Sequence, residues 1–94
     1  MFKITNGRGF QITFKNGWTA SVQFGVGNYC DHHDDNLSTI GQEREAKVWS
    51  SQYAEVAAWP DSGELVPLRE DGGTVRGWLS ANDVLAFLQE TANR

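Results

Sequence analysis

Three consecutive segments at the start of the chain alternate apolar and polar side chains, and this period of two limits the fold more than any other feature. Phe2 and Ile4 alternate with Lys3 and Thr5, and Phe10, Ile12 and Phe14 with Gln11, Thr13 and Lys15. Trp18, Ala20, Val22 and Phe24 alternate with Thr19, Ser21 and Gln23. Side chains of a strand point to opposite faces in turn, so each segment reads as a strand with one buried face. The turns can be tested against that pattern. A two-residue turn at Asn16-Gly17 would set Phe14 opposite Thr19 and split the apolar residues between two faces. A three-residue loop, Lys15-Asn16-Gly17, pairs Phe14 with Trp18, Ile12 with Ala20 and Phe10 with Val22, which leaves all of them on one face. This register is favoured, with Gly17 in the left-handed conformation, because a slip of one residue exposes the whole apolar set. The first turn likewise lets Ile4 face Phe10 and Phe2 face Ile12. The expectation is a three-stranded antiparallel meander.

The pattern stops at Gly25 and does not resume before about Glu45. This stretch is polar, acidic and punctuated by glycine, and structureless loops of such length are usually functional or disordered. "YAEVAAW", residues 53–59, is read as a strand, although its alanines also suit a helix. The "PDSG" turn, the strand-like "ELVPL", the "REDGG" turn and a strand over 74–79 follow. The end is a helix: Ser80 is the N-cap, Asp83 completes a capping box, and Val84, Leu85, Leu88 and Thr91 form the buried stripe with Phe87 at its margin. The predicted fold is α+β, an antiparallel sheet carrying a C-terminal helix, in a single domain over residues 1–94.

The net charge of −4 argues against non-specific nucleic-acid binding, which needs a surplus of Lys and Arg. A single cysteine makes no internal disulfide. No apolar run approaches the roughly 20 residues that span a bilayer. "MFKITNGRGF" shows no hydrophobic signal region, so a cytoplasmic location is expected.

The densest chemistry lies in "GNYCDHHDDN", residues 27–36, which holds the one cysteine and both histidines. Cys30, His32, His33 and Asp35 are acceptable ligands for a zinc-like ion. Neighbours in one loop rarely close a tetrahedron, however, and no second Cys/His pair exists. A solvated acidic loop explains them better. Cys30 beside a histidine resembles a nucleophilic pair in residue type only, and a lone thiol is more often a small packed apolar residue. "GVGN" follows a strand but lacks the Gly-Lys-Ser/Thr of a phosphate loop. No catalytic residue and no cofactor is assigned. Asn28, Tyr29, Cys30, Asp31, His32 and His33 are instead read as a contact surface, with Tyr29 as anchor and the histidines making binding sensitive to pH. Trp78 with Arg76 is a further candidate, suited to stacking or to pairing with another chain. Packing in a second small core is the competing reading for Trp49, Trp59 and Trp78.

The stretches "GFQITFKNGWTASVQFGVGNYCD", "AEVAAW", "GELVPL" and "TVRGWLSANDVLAFL" together resemble small proteins encoded by bacteriophages and related mobile elements. The resemblance spans nearly the whole chain apart from about His32 to Ser51, and it transfers no catalytic motif. It implies the cytoplasm of an infected bacterium and a protein that binds a host factor, including components or signals of antiviral defence. A non-enzymatic binding protein is therefore expected. Two alternatives stand beside it. One is a protein sequestering a nucleotide signal, with Arg8, Lys15, Arg76 and Trp78 as candidates. The other is a metal-dependent enzyme built on Cys30 to Asp35. Open sheet edges and spare tryptophans suit a homodimer.

Overall fold

The computed structural model describes residues 1–5, 8–24, 30 and 50–94. Among the described residues, five strands, β1 (Phe2–Ile4), β2 (Gly9–Thr13), β3 (Thr19–Gln23), β4 (Ala54–Trp59) and β5 (Arg76–Leu79), precede one helix, α1 (Ala81–Ala92). The strands form one antiparallel sheet in chain order, β1-β2-β3-β4-β5, and the helix packs on it: an α+β fold. No helix among the described residues is long and apolar enough to cross a membrane.

Both hairpins take the registers that the alternation requires. Phe10 faces Val22 and Ile12 faces Ala20, while Phe2 faces Ile12 and Ile4 faces Phe10. Phe14 N–H donates to the Trp18 carbonyl at 2.9 Å and Gly17 sits at φ 87°. That left-handed conformation is open to glycine because it has no Cβ to clash. Asn16 secures the turn and also reaches beyond it. Its Oδ1 accepts from Trp18 N–H at 3.0 Å, and its Nδ2 donates to the carbonyls of Thr91 at 2.9 Å and Ala92 at 3.1 Å. The last carbonyls of a helix have no partner inside it, so the hairpin tip supplies the missing donor.

The core lies between the sheet and α1. Ala20, Val22, Ala54, Val56, Ala58, Leu79 and Phe87 form one buried cluster, with Phe10, Ile12, Phe14 and Trp18 packed at its margin. Small side chains at Ala20, Ala54 and Ala58 leave room for the Phe87 ring. The helix begins as expected: Asp83 N–H donates to Ser80 Oγ at 3.2 Å and Ser80 N–H to Asp83 Oδ2 at 3.3 Å. Its buried stripe differs from the expected one. Phe87 and Thr91 are buried, Val84 and Leu88 are half-buried, and Leu85 is 55% exposed. Spacings of three, four and seven from Val84 reach Phe87, Leu88 and Thr91, whereas Leu85 lies about 100° round the axis. The buried Thr91 hydroxyl is satisfied by donating to the Phe87 carbonyl at 2.8 Å.

Three further expectations are corrected. The strand expected at "ELVPL" does not form: residues 64–68 are held beside β4 by the Val66 N–H to Ala58 carbonyl bond at 3.2 Å, and Pro67 has no N–H to extend a ladder. The last strand starts at Arg76 rather than Thr74. The face of β1 expected to be buried is open, with Phe2 70% and Ile4 81% exposed, because the backbone of α1 lies over β3, β4 and β5 and does not extend to β1.

Candidate functional site

Of the crowded segment, Cys30 is described and is fully buried. Asn28, Tyr29, Asp31, His32, His33 and Asp35, on which the contact and metal readings fall, lie outside the described residues. Among the described residues no three His, Cys, Asp or Glu side chains are grouped closely enough to hold a metal ion. The four residues named for a nucleotide do not all converge. Arg8 and Lys15 flank opposite ends of β2, about 23 Å apart at the rise of an extended chain.

Arg76 and Trp78 occupy β5, where the sheet is irregular. Val56 pairs with Arg76 and Ala54 with Leu79, so one residue of β4, Glu55, faces two of β5, Gly77 and Trp78. This bulge takes an unusual form. Trp78 has φ 58°, and it is the one residue other than glycine with positive φ among the described residues. The left-handed region costs an L-residue about 1–2 kcal/mol, because its Cβ crowds the next carbonyl. The neighbours on the C-terminal side hold the conformation in place: Leu79 is locked into the core and Ser80 caps the helix. The strained backbone leaves the indole 52% exposed, edge-on to Tyr53 with centroids 6.1 Å apart and planes at 73°. Tyr53, immediately before β4, is itself 39% exposed. Among the described residues none forms an ion pair or hydrogen bond with the Arg76 guanidinium.

Tyr53 also lines an apolar cavity of about 210 Å³ beside the first turn of α1. Phe10, Phe24, Val22, Leu79 and Val84 form its walls, and no lining residue carries a charge. The cavity suits an apolar or aromatic group. Nothing in its lining balances a phosphate.

The sequence singled out Arg76 and Trp78 but missed Tyr53. A usable signal was present: Tyr53, Glu55, Ala57 and Trp59 share the phase opposite to the core residues Ala54, Val56 and Ala58. A large ring at such a position needs either a cover or a partner. Comparison with protein-family models, curated proteins and solved structures finds no match to this chain.

Proposed function

We propose that this chain is a non-enzymatic binding protein that presents Trp78 and Tyr53, with Arg76 nearby, to a macromolecular partner. One observation carries this reading: a tryptophan is held in a costly backbone conformation while half of its surface faces water. Folding alone gains little from that arrangement, since glycine would fit the same φ without strain. Tryptophan, tyrosine and arginine are also the side chains that dominate binding energy at protein interfaces. The resemblance to phage and mobile-element proteins supports a host factor or a component of antiviral defence as the partner.

Trp78→Gly tests the proposal. The substitution relieves about 1–2 kcal/mol of left-handed strain. It gives up an aromatic pair worth about 0.5–1.5 kcal/mol. Urea unfolding is therefore expected to shift by between a gain of about 1.5 and a loss of about 0.5 kcal/mol. Partner capture from bacterial lysate is expected to fall at least tenfold for the variant. A variant that folds and retains its partners overturns the reading.

The cavity favours a second reading, a small uncharged aromatic ligand. Native mass spectrometry of freshly purified protein distinguishes the two, since a stoichiometric small molecule supports only the second.

A further inference from the structure

The opposite edge of the sheet carries a different surface. β1 is the outer strand on that side, and its inner edge is fully used. Thr13 N–H donates to the Met1 carbonyl at 2.9 Å, the Met1 ammonium donates to the Thr13 carbonyl at 3.0 Å, and Thr5 N–H donates to the Gly9 carbonyl at 3.1 Å. Bonding alternates along an antiparallel pair, so Met1, Lys3 and Thr5 turn their backbone groups towards β2. Phe2 and Ile4 turn theirs outward. These are also the residues whose apolar side chains stand most in water, together with Met1 at 78%. Their side chains share a face with Phe10 and Ile12, which are half-buried at the margin of the core, while Phe2 and Ile4 themselves lie outside it. Lys3 points to the other face. The charge here is one-sided: residues 1–24 hold Lys3, Arg8 and Lys15 and no Asp or Glu, in a chain whose net charge is −4.

We propose that β1 is a strand-addition site for an extended segment of another protein in which apolar and acidic residues alternate. The partner's backbone bonds the outward groups of Phe2 and Ile4. Its apolar side chains lie on the exposed Phe2 and Ile4, and its carboxylates lie beside Lys3. A second copy of this chain is the poorer occupant. Joining two β1 strands so that Phe2 of each bonds Ile4 of the other sets Lys3 opposite Lys3, and like charges directly opposed repel. This surface is independent of Trp78, on the other edge of the sheet, and either proposal can fail without the other.

The probe is a capped synthetic decapeptide alternating valine and glutamate, with a valine–lysine peptide as control, titrated into the isotopically labelled protein and followed by NMR. Binding is expected to shift the Phe2 and Ile4 amides and to slow their hydrogen exchange. Ile4→Pro deletes an outward N–H without touching the β1–β2 bonds, and edge strands tolerate proline there. It is expected to weaken the glutamate peptide at least tenfold while the remaining amides stay in place. Lys3→Glu is expected to weaken the glutamate peptide at least tenfold and to admit the lysine peptide, and it decides the matter should the proline variant unfold. The proposal is overturned if the glutamate peptide does not bind, or if the two peptides bind equally. It is also overturned if sedimentation shows a wild-type dimer that Lys3→Glu or Ile4→Pro alters, since a second copy then holds the edge.

Discussion

The centre of the sheet and its β1 edge carry the same alternation and meet different fates. Ala20 and Val22 on β3 are 0% and 1% exposed, whereas Phe2 and Ile4 on β1, in the same phase of the sheet, are 70% and 81% exposed. The cause is width. Strands lie about 4.8 Å apart, so five span about 19 Å. A helix with its side chains is about 10–12 Å across. A single helix therefore covers about three strands, and α1 covers β3, β4 and β5. Residue size follows the cover: alanines predominate beneath the helix, Phe10 and Ile12 stand half-buried at its margin, and Phe2 and Ile4 lie beyond it. Alternation tells which side of a strand is apolar. Whether that side is dry depends on how many helices there are to lie on it.

Substituting the same residue type in both regions tests the contrast most severely. Phe87→Ala leaves a cavity under the helix and is expected to cost about 3–5 kcal/mol in urea unfolding. Phe2→Ala gives up little more than its edge-on contact with Phe10, at 6.3 Å between centroids. It is expected to cost less than about 1 kcal/mol. Similar losses at both positions would mean that β1 is covered in solution.

A smaller effect is expected where the hairpin meets the helix end. Asn16→Ala leaves the Thr91 and Ala92 carbonyls and the Trp18 N–H without their partner, at a cost of about 1–2 kcal/mol. Asn16→Asp is expected to lose more, because a carboxylate there faces the negative end of the helix. If both variants unfold like the wild type, the tie contributes nothing to holding α1 over the central strands.

The smallest effect belongs to the exposed turn at residues 69–73. The Arg69 side chain, and after it the Gly73 N–H, hold the Asp71 carboxyl below the ordinary aspartate range. A depressed value means that the stabilisation is present above the unfolded pKa and is lost as pH falls through the folded one. On acidification below the usual aspartate value the Gly73 amide resonance is expected to move as its bond to Asp71 breaks. The melting temperature of Asp71→Asn at neutral pH is expected to stay close to wild type. A large drop would show that the periphery supports the core.

Much of this fold was legible in local chemistry. Asn16-Gly17 together with the phase of Phe14 and Trp18 decided one register out of two, and Ser80 with Asp83 marked the helix start. What escaped depended on distant partners. The burial of Phe87 rather than Leu85 follows from the angle at which α1 meets the sheet, within an apolar arc broad enough to include either. The openness of β1 follows from the helix's footprint. Trp78 and Arg76 were picked out as residue types, but the strain at Trp78 and its meeting with Tyr53 arise from a bulge that no dipeptide announces.

That bulge decides which of two neighbouring side chains the interior receives. Between the pairs Val56–Arg76 and Ala54–Leu79, β4 advances by two residues and β5 by three. If the unaltered β5 paired regularly from Val56–Arg76 onward, Trp78 would stand opposite Ala54 and its indole would occupy the place that Leu79 fills in the core. Loss of the Gly77 codon would leave Leu79 opposite Ala54 and set Trp78 opposite Glu55 in a regular ladder, so the interior would keep its leucine without the left-handed residue that the surplus now demands.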